Sequence, residues 1–171
     1  TNHGESPTRP EQRCNRGIRR GRRASNRATV GADPGNLYRR SLKRYDDALL
    51  YTYRSLNIRK QTGDSVSLGS AYSKLADIYF DNRQLDSAIY FYHISLEYDR
   101  RFNVSIRQIT SLISLGCVYM DLHQLDSAET CLKQAVSLSE KTSFRTWYAR
   151  ALLNYGLLLG YKQDKVNGLA A

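Results

Sequence analysis

Gln84-Leu85-Asp86-Ser87-Ala88 recurs unchanged as Gln124-Leu125-Asp126-Ser127-Ala128, 40 residues further on. A degenerate copy, Tyr45-Asp46-Asp47-Ala48, stands 40 residues upstream. A fixed spacing of this size marks a stacked repeat, in which each unit buries its apolar face against the next. The phrase also opens a helix. Leu85, Ala88, Ile89, Tyr92 and Leu96 fall at i, i+3, i+4, i+7 and i+11, one apolar stripe of helical period. Tyr45, Ala48, Leu49, Thr52 and Leu56 repeat that spacing, and Leu125, Ala128, Leu132, Ala135 and Val136 give a close third version.

A second kind of helix lies between these. Leu75-Ala76-Asp77-Ile78-Tyr79 aligns with Leu115-Gly116-Cys117-Val118-Tyr119, and then with Tyr155-Gly156-Leu157-Leu158-Leu159. A small residue follows a large one each time. Glycine inside a helix costs about 1 kcal/mol relative to alanine, so its recurrence at one register predicts close approach of a neighbouring helix. Ala48, Ala88 and Ala128 are the matching small residues on the other helix type. Gly63, Asn103 and Ser143 occupy equivalent turns, and Gly and Asn tolerate the left-handed conformation that often ends a helix. Asp81 and Asp121, each followed three residues later by Gln, resemble a capping box. The pattern predicts helices near 42–61, 66–81, 84–101, 106–121, 124–141 and 145–161.

At these residues the chain resembles the tetratricopeptide repeat family. The resemblance covers about residues 42–161. The family's helix A carries a large residue, a small one and an aromatic three later, matched by Leu75, Ala76 and Tyr79 and by Leu115, Gly116 and Tyr119. Its helix B opens with an aromatic or Leu and has Ala three later, matched by Tyr45 and Ala48, Leu85 and Ala88, and Leu125 and Ala128. The family's usual period is about 34 residues; the longer one here is similar to repeats of bacterial regulators and kinesin-light-chain-like proteins. The helix-ending Pro common in the family is missing. The resemblance implies an all-α, right-handed α-solenoid of about three helix-turn-helix repeats.

Net charge is +10, but it is unevenly placed. Residues 1–44 carry 12 Lys+Arg against 3 Asp+Glu; residues 45–171 carry 14 against 13. Seven arginines lie between Arg13 and Arg27. Any affinity for nucleic acid must therefore live in the tail. Residues 1–41 read as a disordered Arg-rich tail, because Pro, Gly and few large apolar residues cannot offset the ordering entropy. Residues 1–44 hold 11 Arg and 1 Lys against 8 Arg and 6 Lys in 45–171, a shift in usage that reads as a non-native or non-functional tail. Residues 42–161 read as the repeat domain and 162–171 as a C-terminal tail. The first helix B lacks a credible helix A before it, and the last helix A lacks room for a helix B after it. The chain therefore reads as an excerpt of a longer array, with ends open to self-association.

No chemistry is written into the pattern. Cys14, Cys117 and Cys131 form neither a CxxC motif nor an even set. His3, His93 and His123 have no ligand-spaced neighbours, and no serine sits in a GxSxG elbow. No catalytic residue, metal site or cofactor is expected. The apolar stretch Ala151 to Tyr161 is too short to span a membrane, and no signal peptide is visible; a cytoplasmic protein is expected. Tyrosine is abundant, 13 residues between Tyr38 and Tyr161, as befits half-buried helix faces.

What remains is binding. By the family's register, helix A lines a concave groove, which implies Ser73, Asp77, Phe80, Ile113, Cys117, Met120, Arg150 and Leu157 as partner-contacting residues, with Lys74, Thr110, Leu153, Asn154 and Tyr161 beside them. That mostly apolar set suits an amphipathic helix or extended peptide. It does not suit the acidic C-terminal tails held by chaperone adaptors, since Asp77 would repel a carboxylate and only Arg150 and Asn154 are clamp-like. The expected function is a protein–protein interaction module, a sensory or regulatory segment of a larger bacterial signalling or transcription-regulatory protein. The alternative is a nucleic-acid-binding protein acting through the Arg-rich tail.

Overall fold

The computed structural model describes residues 45–166 and Gly168. The Arg-rich tail, Cys14 and the first turn predicted for residues 42–44 lie outside the described residues. Six helices follow one another: α1 Tyr45–Gln61, α2 Ser65–Asp81, α3 Leu85–Arg101, α4 Ser105–Asp121, α5 Leu125–Glu140 and α6 Arg145–Val166. No strand occurs among the described residues. Each helix packs on the next in sequence, and α2 touches α4 as α4 touches α6. The odd-numbered helices make no comparable contact with one another. The result is an α-solenoid with α2, α4 and α6 as its inner row and α1, α3 and α5 as its outer row.

The repeated phrase starts each outer helix. Leu85 and Leu125 are first residues, Asp86 and Asp126 lie in the first turn, and Ala88 and Ala128 are fully buried. A carboxylate there meets the positive end of the helix dipole. The predicted capping box does not form. Gln84 and Gln124 are N-caps without a side-chain bond to the helix. The backbone closes the turn instead. Arg83 N–H donates to Phe80 O and Gln84 N–H to Tyr79 O; His123 and Gln124 repeat this with Met120 and Tyr119. This is the Schellman pattern, and it places Arg83 at φ 65° and His123 at φ 58°. Gly63 at φ 72° and Asn103 at φ 53° close the other turns in the same way. Ser143 does not. The fifth connection has no positive-φ residue, and its C-cap Lys141 stays right-handed.

The turns are also tied forward. Arg83 pairs with Asp121 at 2.8 Å. One repeat later, His123 Nδ1 lies 2.6 Å from Tyr161 Oη, with the rings stacked.

The repeated glycine register does bring helices together, but only where a helix is present. A Cβ added at Gly116 would lie 2.6 Å from Leu132 Cγ of α5. At Gly156 the same atom would meet nothing within 4 Å. α6 also runs to Val166, past the predicted end at 161 and through the position where α2 and α4 turn.

Candidate partner-binding face

The expected groove residues separate by burial. Ile113 and Cys117 are closed off in the core at 1% and 0% exposure, with Phe80 and Met120 at 4% each. They belong to one buried core cluster shared with residues of α3, α5 and α6, and every residue of α4 from Ser111 to Val118 is buried. Their side chains support the inner row from behind and do not present themselves to a partner. Asp77 is also buried; it accepts a 2.7 Å hydrogen bond from Tyr92 Oη. Arg150 is buried with its guanidinium 5.1 Å from the Trp147 ring centroid. Asn154 is buried too, donating to Arg150 O at 2.8 Å. The clamp-like pair thus faces inward. Ser73 and Leu157 are half-buried, as are Lys74 and Thr110, and Leu153 is exposed. With the half-buried Tyr161, these five are the accessible members of the expected set.

The structure brings together a second group that the pattern did not signal as a unit. Asp99 of α3 is fully buried. Arg107 of α4 donates Nε to Asp99 Oδ1 at 2.6 Å and Nη2 to Val66 O of α2 at 2.8 Å. Gln108 donates to Asp99 O at 2.8 Å, and Ser95 Oγ to Gly69 O at 2.9 Å. A Cβ at Gly69 would collide with the Asp99 carboxylate, so the missing side chain is what admits the charge. Burial pushes the Asp99 carboxyl up, against the opposing pull of Arg107. The sequence did contain one trace of this. Asp99 continues the stripe of Ala88, Tyr92, Ser95 and Leu96, where a charge needs a partner. The cluster locks three helices; it offers no open position for a ligand.

Elsewhere the polar groups bind one another. Lys162 of α6 reaches Asp126 at 3.0 Å and Glu129 at 2.5 Å, and Lys133 reaches Glu129 at 2.8 Å. Hydrogen bonds from the two lysines bring the Glu129 carboxyl down to about 2. Burial pushes the half-buried Cys131 thiol up to about 11, far from a reactive thiolate. Among the described residues no three His, Cys, Asp or Glu side chains are placed to hold a metal. No described helix is long and apolar enough to cross a membrane.

An inner row and an outer row of antiparallel helices, with polar side chains spent on internal ties, define a helical-repeat scaffold. Residues 109–142, most of α4 with all of α5, match the model of the tetratricopeptide repeat, so the chain carries such a repeat. A comparison with curated proteins gives no match. Among solved structures, the crystal structure of BtubC (BKLC) from P. vanneervenii is similar over 93% of this chain and 67% of that chain, with a TM-score of 0.66. Sequence identity is 19%, so the likeness is one of fold.

Proposed function

We propose that the chain is a non-enzymatic protein–protein interaction module that holds an amphipathic helix or extended peptide along its inner row. The observation that carries this reading is the accessible line of Ser73 and Lys74 on α2, Thr110 on α4 and Leu153 and Leu157 on α6, one patch per inner helix. Two small hydroxyls and one cation with an apolar end suit a peptide that anchors one large side chain near Leu157. A match to a protein-binding repeat supports the same reading. Its role is that of a regulatory segment in a larger protein.

Selection from a random peptide display library tests this. Selected peptides should bind in the micromolar range, about −8 kcal/mol, and lose affinity at least tenfold with Leu157→Asp and with Ser73→Trp. Binding that both variants leave unchanged would place the partner elsewhere. Failure to select any binder tighter than millimolar would refute the proposal.

A further inference from the structure

We infer that the chain self-associates through α6, which packs antiparallel on α6 of a second copy across a two-fold axis. This inference does not rest on the peptide-binding reading; the two share Leu153 at the edge of the inner row, so a bound peptide and the second copy compete there. The outward face of α6 carries no charge for four turns. Ala149, Leu152, Leu153, Gly156 and Gly160 are all exposed along it, Leu153 at 57%. Ala149, Gly156 and Gly160 fall at i, i+7 and i+11, so the middle of the face is a low ridge of backbone. A Cβ at either glycine would meet nothing within 4 Å. In α4 the same register is an occupied interface, where Leu132 of α5 fills the space over Gly116. The face of α6 therefore continues a helix-packing surface already used inside this chain.

Self-complementarity identifies the second copy as the occupant. Place the axis between Asn154 and Tyr155 with the helices antiparallel. Leu153 then lies over the partner's Gly156, and the reverse contact repeats it. Ala149 meets the partner's Gly160. At both ends exposed Arg145 meets the partner's Asp164, itself exposed. Large thus meets absent, small meets small, and each basic end meets an acidic one. Closed, isologous contacts of this kind are the commonest form of oligomer. One helix pair buries less than the ~1,600 Å² of a standard interface, so the dimer should be weak, with a Kd of about 10–100 µM.

Sedimentation equilibrium of the full chain between about 5 and 500 µM tests this, spanning that Kd range. Wild type should show a reversible monomer–dimer equilibrium, and Leu153→Asp should weaken it at least tenfold. Circular dichroism should be unchanged, since Leu153 is exposed. Arg145→Asp or Asp164→Arg alone should weaken the dimer about threefold, as exposed ion pairs do, and the double exchange should restore it. A chain that stays monomeric throughout overturns the inference. So does a dimer indifferent to Leu153→Asp, or a double exchange no better than the single ones. If the chain is monomeric and a peptide of the α5 sequence protects α6 from labelling, the face belongs to a different helix and the two-fold is wrong.

Discussion

Gly116 and Gly156 occupy one register in α4 and α6, yet alanine at the two positions should act with opposite sign. At Gly116 the new Cβ would lie 2.6 Å from Leu132 Cγ and 2.7 Å from Cδ2. Carbon atoms in good contact sit at about 3.5–4.0 Å, so the overlap is about 1 Å. It falls on the branch point of a fully buried leucine, which cannot swing aside as a flexible tip would. Overpacking of this kind costs about 1–3 kcal/mol, and the upper end applies. Replacing a helical glycine returns about 1 kcal/mol, leaving a net loss of about 2 kcal/mol. At Gly156 the Cβ meets nothing, so only the gain of about 1 kcal/mol remains. The variants should differ by about 3 kcal/mol, or about 10 °C in Tm for a folded body of this size. Urea unfolding at low micromolar protein, followed by circular dichroism at constant m, reads both. Equal stabilisation by the two substitutions would refute close approach at Gly116, and destabilisation by Gly156→Ala would refute the open register of α6.

Three further outcomes follow from the polar groups. Asp99→Ala should destabilise the chain by about 2–4 kcal/mol, because it strands the partly buried Arg107. The raised carboxyl of Asp99 means its contribution is full below the unfolded pKa and lost as pH rises through the folded one, so Asp99→Asn should flatten that fall in a stability–pH curve. Glu129 has the opposite sign: with its carboxyl at about 2, its contribution is present above the usual glutamate range and disappears as pH falls toward 2. Glu129→Gln should remove that acid-side slope, as should 1 M salt. Cys131, with its thiol at about 11, should label at least a hundredfold more slowly than a free thiol at pH 8. Mass mapping of its peptide in native buffer and in guanidinium checks this.

The helices were legible because their stripes recur. Ala48, Ala88 and Ala128 sit at one register and all are fully buried, so burial and pattern coincide. The turns were legible in position but not in chemistry. Gln84 and Gln124 stand where a capping glutamine would, yet the Schellman bonds leave it no required role. Accessibility along the inner row was least legible. Pattern places Ile113, Cys117 and Met120 on a helix A, but it does not say that α4 is covered on both flanks while α6 is not. That depends on which helices are present beside each one. Arg107 escaped for a related reason: its partners Asp99 and Val66 belong to two other helices, and pairing across three helices leaves no periodic trace.

Contact between inner helices without comparable contact between outer ones has a mechanical consequence. The inner row acts as the spine of a fan, and the outer helices as its ribs. Bending that spreads the ribs breaks little apolar packing between them, while bending that closes the fan must compress α2 against α4 and α4 against α6. Each outer helix also packs on the inner helix that follows it, so opening is resisted by those seams and by the Asp99–Arg107–Val66 tie, and not by contact from rib to rib. A bound peptide along the spine would stiffen the ribs without touching them.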